Sequence, residues 1–210
     1  MKKLHLLLAL LIAFSVNAQE NIKYQKPSKE ILDLVEFERP PSVQYDEEKN
    51  YMVFLYRDNY KTIETLSAKE LRLGGLRIDP KTNIGSRTTY YHNVKIKNLK
   101  DKNAQIIQVG GIPEKARLSN FSWSPDQTKI ALTNTTKTGV ELWLLDLKSG
   151  VVTKLTEPVL NANIGGVINW SGDSKSMLVK MISPNRQDLI DTKSVVPDGP
   201  TISTNYGKKA

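Results

Sequence analysis

The sequence holds no cysteine among its 210 residues. That excludes disulfides, thiolate metal sites and a cysteine nucleophile, so a folded form rests on its apolar core alone. Histidine is nearly as scarce, with only His5 and His92. Carboxylates offer little in its place: Asp46-Glu47-Glu48 lacks the alternating spacing and the glycine of a calcium loop. No metal and no cofactor is therefore expected. Gly110-Gly111 and Gly165-Gly166 resemble no phosphate loop and read as turn glycines at strand ends.

Long apolar runs are also missing, with one exception at the start. Lys2 and Lys3 precede the run Leu6 to Phe14, and Val16-Asn17-Ala18 supplies the small residues that a signal peptidase reads. The pattern predicts a signal peptide over residues 1–18, cleaved near Ala18, and a periplasmic or secreted chain with no membrane span after cleavage. A single-pass anchor is the rival reading of this stretch. A lipoprotein signal is excluded, because no cysteine is there to carry the lipid.

Basic residues exceed acidic ones, for a formal net charge of +8, or about +6 without the two leader lysines. Lys and Arg are scattered, with no dense run and no aromatic-basic RNA motif. No nucleic-acid partner is expected; a basic surface favours acidic ligands.

What the chain does have is a repeat. "FSWSPDQTKIALT", Phe121 to Thr133, returns as "INWSGDSKSMLVK", Ile168 to Lys180, and more loosely as "QYDEEKNYMVFLYRD", Gln44 to Asp58. Tyr45, Trp123 and Trp170 share one column, followed by a polar turn and a short apolar strand. Pro125 presets one turn, Gly172 permits another, and Asp126 can bond back to nearby amides. Hairpins follow at Val94 to Gly111 and at Leu142 to Thr156. Trp123 and Trp170 stand 47 positions apart, close to the roughly 40–45 residues of a four-stranded propeller blade.

These units predict an all-β fold: a partial β-propeller of about three to four blades of a larger one. It carries a short N-terminal helix and an inserted helix-turn segment. The expected boundaries are 19–41 for an N-terminal extension and 42–210 for the incomplete propeller, with the insertion at about 59–91. In the insertion, Ser67-Ala68-Lys69-Glu70 reads as a capping box opening a helix that Gly74-Gly75 ends. Asp79 to Asn83 reads as a turn. A plain β-sandwich is the competing architecture. The tail after Lys180 is rich in Pro, Asn, Asp and Gly and supplies no closing strand, which predicts a longer protein. A small four-bladed propeller is the rival.

"ELRLGGLRIDPKTN", Glu70 to Asn83, resembles a hallmark of the glutamyl endopeptidase branch of the prolyl-oligopeptidase-like serine peptidases. "YQKPSKEILDLVE" (Tyr24 to Glu36), "FSWSPDQTKIALT" and "VPDGPTISTNYGKKA" (Val196 to Ala210) resemble further segments of that family in the same order. The resemblance implies an N-terminal propeller that limits peptide access to a C-terminal α/β-hydrolase domain, the partner absent from this chain. It also implies cleavage after Glu.

No catalytic residue carries over, because the sequence has no Gly-x-Ser-x-Gly elbow: Gly85-Ser86-Arg87 lacks the second glycine and Trp170-Ser171-Gly172 the first. His92 reads as a surface or packing residue. A substrate Glu needs a cation, and the bidentate fork of Arg suits a carboxylate. Arg77 and Arg87, then Arg72, are the candidate substrate-binding residues, with a surface ion pair or a strand-edge charge as the competing role for each. The alternatives to this reading are a non-catalytic envelope module binding peptide or glycan, and a dipeptidyl peptidase of the same superfamily.

Overall fold

The computed structural model describes residues 25–187. The expected signal peptide and most of the Pro- and Gly-rich tail lie outside the described residues. By its contacts the chain divides into two compact units, Met1–Glu38 and Arg39–Ala210.

In the first unit, α1 covers Lys29–Val35. Ser28, extended at φ −60° and ψ 158°, starts it, and its carbonyl accepts from the amides of Ile31 and Leu32. This is the short helix expected behind Pro27. Its apolar residues Ile31, Leu34 and Val35 are exposed and Leu32 is half-buried.

The second unit is built from antiparallel sheets. Strands β1 (Ser42–Tyr45), β2 (Tyr51–Tyr56), β5 (Asn93–Asn98) and β6 (Ile107–Gln108) form the first, in that spatial order. Strands β7 (Leu118–Trp123), β8 (Lys129–Thr135), β9 (Val140–Asp146) and β10 (Val151–Lys154) form the second. Each is a four-stranded meander in chain order, the form of one propeller blade. Strands β11 (Ile168–Trp170) and β12 (Met177–Val179) make a two-stranded third sheet.

The repeat is carried by one hairpin, used three times. Tyr45 pairs with Met52, Trp123 with Ile130 and Trp170 with Met177. In each case the partner lies seven positions after the aromatic. Four positions after it, Lys49, Gln127 and Ser174 all sit in the left-handed region, at φ 58°, 58° and 59°. Their amides donate to the carbonyls of Asp46, Ser124 and Ser171, respectively.

Side chains lock these turns. Ser124 Oγ accepts from the amide of Lys129 and donates to Asp126 Oδ1 at 2.6 Å; Asp126 Oδ1 also accepts from the Thr128 amide. Ser171 and Asp173 repeat the Ser–Asp bond at 2.7 Å. In the first repeat Asp46 stands where the others have serine, and its Oδ1 accepts directly from the Tyr51 amide at 2.6 Å. That substitution explains why the aspartate of this repeat lies two positions earlier than in the others.

Two apolar layers separate the sheets. Val53, Leu55, Val94 and Ile96 of the first sheet meet Leu118, Ile130, Leu132 and Leu145 of the second. The opposite face of the second sheet presents Ala131, Val140 and Leu142 to Leu160, Val167 and Ile168, at and before β11 of the third sheet. Alternation along β8 and β9 assigns successive residues to the two layers. A parallel contact also joins the first two sheets, where the Gly110 amide donates to Gly150 O and the Val152 amide to Gly110 O.

The insertion between β2 and β5 departs from expectation. A helix is present, but α2 covers Ile63–Ser67, capped by Thr62 Oγ1 accepting from the Thr65 amide. The stretch expected to be helical instead forms β3 (Leu71–Leu73), which pairs with β4 (Leu76–Ile78) beyond the glycines. Gly74 and Gly75, at φ 52° and 94°, are the turn between them. Leu-Arg-Leu-Gly-Gly-Leu-Arg-Ile alternates with period two about a Gly-Gly pair, which is a hairpin pattern and overrides the capping-box signal.

Candidate functional site

The hairpin of the insertion builds a cluster from three adjacent chain segments. Arg72 of β3 lies opposite Arg77 of β4. Beyond β4 the chain returns alongside it: Ile78 bridges to Gly85, and the Ser86 amide donates to Arg77 O. Arg72, Arg77 and Ser86 therefore form a row across the strands. Glu70 lies two residues before Arg72, which a strand's period places on the same face.

All three side chains converge on Glu70. Arg72 Nε and Arg77 Nη1 each donate to Glu70 Oε1 at 2.8 Å, and Ser86 Oγ donates to Oε2 at 2.8 Å. The Ser86 hydroxyl, followed by Arg72, holds the Glu70 carboxyl below the usual glutamate range. Two guanidinium groups face one carboxylate, so the cluster keeps a surplus positive charge. Arg72 uses only Nε and Arg77 only Nη1. Arg72 is 70% exposed and Arg77 36%.

The three candidate arginines thus divide. Arg72 and Arg77 are brought together by the hairpin. Arg87, next to Ser86 in the chain, is exposed and forms neither a hydrogen bond nor an ion pair among the described residues. Sequence reasoning missed Glu70 as their shared partner. The signal was available in the i, i+2 spacing of Glu70 and Arg72, once the segment is read as a strand.

The rest of the insertion is tied into the fold. Asp79 Oδ1 accepts from the amides of Lys81 and Thr82, forming the expected Asp79-to-Asn83 turn. Asn83, buried at φ 58°, donates to Asn161 Oδ1 at 2.8 Å, and its Oδ1 accepts from Asn163 and Arg186. Ile84, 1% exposed, fills the layer between the second and third sheets. The hairpin is therefore held by a buried root.

Two other polar features stand apart from the arginines. An open groove of about 500 Å³ runs past His92, Asn93, Gln108 and Lys115, and none of the three arginines lines it. Asn93 and Gln108 exchange side-chain amide hydrogen bonds there. Glu141, on the second sheet, is 9% exposed; it accepts from Asn134, Trp143 Nε1 and Lys154 Nζ. Burial pushes its carboxyl up, but those three donors outweigh it and hold the group low.

His92 is half-exposed, with Nε2 3.7 Å from Asp58 Oδ1. No serine hydroxyl hydrogen-bonds to it among the described residues. No group of three or more His, Asp or Glu side chains is placed to hold a metal ion among the described residues. Within them no helix is long and apolar enough to cross a membrane.

No family model matches the sequence. A probable chloroplastic glutamyl endopeptidase of Oryza sativa subsp. japonica is 31% identical over 193 residues, covering 87% of this chain and 20% of that protein. A protein of the same description from Arabidopsis thaliana is 27% identical over 195 residues, with 88% and 20% covered. The chain resembles the glutamyl endopeptidases. It spans about a fifth of the length of these curated relatives.

The resemblance of this glutamyl endopeptidase-like chain runs through nearly all of it, as the sequence motifs implied. Among solved structures, an acylaminoacyl peptidase of Pyrococcus horikoshii aligns at 20% identity over 75% of this chain and 20% of its own, with a TM-score of 0.39. A putative dipeptidyl aminopeptidase IV of Bacteroides ovatus aligns at 16% over 58% and 18%, with a TM-score of 0.32.

Proposed function

We propose that this chain is the N-terminal propeller portion of an exported serine peptidase of the prolyl-oligopeptidase family. It limits access of peptides to a hydrolase domain that the 210 residues do not include. The peptidase cleaves after Glu. The observation that carries this reading is the 31% identity to a probable glutamyl endopeptidase across 87% of the chain. The blade-form sheets and their three-fold hairpin agree with a propeller arc. The insertion agrees with acidic substrates, because Arg72 and Arg77 outnumber the carboxylate between them and Arg87 is exposed beside them in the chain.

In this role the three arginines face the incoming peptide and meet its Glu side chain, while a Ser-His-Asp set on the hydrolase domain performs the acyl transfer. The test is cleavage by the full-length protein of two peptides that differ only in Glu or Gln at the residue before the scissile bond. Selective cleavage after Glu supports the reading. Equal cleavage of the two, or none, overturns it.

A further inference from the structure

The carboxylate of Glu70 is bound as a ligand carboxylate would be. Both of its oxygens are taken, Oε1 by two guanidinium groups and Oε2 by a hydroxyl, each at 2.8 Å. The donors come from a cross-strand row that the β3–β4 pairing and the returning Ser86 segment fix in place. They do not need Glu70 to be near one another: backbone bonds and the buried Asn83–Ile84 root hold the strands. Glu70 itself precedes β3, on the short stretch that leaves α2. Its side chain remains 21% exposed, and Arg72 is open to solvent. An arginine pair on a preformed scaffold, with spare guanidinium nitrogens, binds carboxylates by charge-assisted hydrogen bonds.

We propose that Arg72, Arg77 and Ser86 form a receptor for an acidic side chain, and that Glu70 is its internal occupant, displaced when an acidic peptide binds. The inference rests on the reading that these arginines meet an acidic ligand, and adds that the site is self-occupied. An internal carboxylate competes with an external one, so the apparent affinity is the intrinsic affinity reduced to the fraction of time the site stands empty. Removing Glu70 must then strengthen binding. If Glu70 instead serves to orient the two guanidinium groups, removing it must weaken binding. The two roles predict opposite signs.

The experiment is an NMR titration of the 210-residue chain with N-acetyl-glutamic acid α-amide, against N-acetyl-glutamine α-amide as the neutral control. It follows the arginine Nε–H signals of wild type, Glu70→Ala and Glu70→Gln. The second variant keeps the side-chain volume and serves if the first fails to fold. Both variants are expected to bind the glutamate probe about tenfold or more tighter than wild type, with no response to the glutamine probe. Adding Arg77→Ala to either variant is expected to abolish the gain. Weaker binding in both variants overturns the inference, as does equal or absent binding in all three proteins. Selective cleavage after Glu by the full-length protein is read separately, so the inference can fail while that reading stands.

Discussion

The backbone amide of Asp126 donates to the hydroxyl of Ser174 at 2.9 Å. The two residues are 48 positions apart and belong to the same turn in successive repeats. A second bond of the kind joins the first repeat to the second, from the Glu47 amide to Gln127 Oε1 at 3.3 Å. Trp170 Nε1 adds a third, to Ser122 O at 3.1 Å. The repeated turn thus fastens each sheet to its neighbour as well as closing its own hairpin.

The left-handed position in that turn supplies the first prediction. Lys49 holds φ 58° and is exposed. A side chain costs about 1–2 kcal/mol in that conformation, and glycine avoids most of it. Lys49→Gly is expected to raise stability by roughly 0.5–1 kcal/mol, the gain offset in part by unfolded-state entropy. Urea unfolding checks it. A loss of stability contradicts the shared turn geometry.

Gly111 gives a prediction of opposite sign. It holds φ +82°, and an added Cβ would lie 2.5 Å from the carbonyl oxygen of Val152. This is where Gly110 links the first sheet to the second. Gly111→Ala is expected to cost more than about 2 kcal/mol, measured by the shift in urea midpoint.

Ile84 tests whether the insertion is an appendage or part of the core. Its full burial between the second and third sheets predicts that Ile84→Ala costs about 2–5 kcal/mol. A change under about 0.5 kcal/mol, the range of surface substitutions, contradicts the packing described.

Acid should unfold the protein. Asp126 is held low by Ser124 and then by the Thr128 amide, Asp146 by the Ser149 amide, and Asp173 by the Lys175 amide and then Ser171. Glu70 and Glu141 are also lowered. In the unfolded chain these groups titrate near about 4. A lowered folded pKa contributes stability that is fully present above the unfolded value and is lost as pH falls through the folded one. Thermal midpoints are therefore expected to be flat from about pH 7 to 5 with respect to these groups and to fall steeply below about pH 4. Glu141→Gln should flatten part of that fall.

Much of the fold was legible because its units repeat. Trp123, Trp170 and Tyr45 marked one hairpin three times, and the turn chemistry of Asp126 and Asp173 could be read from Ser-Pro-Asp and Ser-Gly-Asp. The insertion was misread because Ser67 and Glu70 have capping-box spacing, while the Gly-Gly pair that decides the outcome stops a helix as readily as it turns a hairpin. The environment of Glu141 was out of reach of any local pattern. Asn134 lies opposite it on β8, and Lys154 lies on β10 opposite Trp143, so the network exists only once three strands are in register. The same holds for the Glu70 cluster, whose third member, Ser86, is 16 positions away.

The most direct test of the central claim is the mass of the native protein in its source cells, by immunoblot against a peptide from Thr65 to Asn83. The account predicts a band several times heavier than the 23.6 kDa of this chain, a propeller portion carried on an intact peptidase. A single band near 23.6 kDa or slightly below would contradict it.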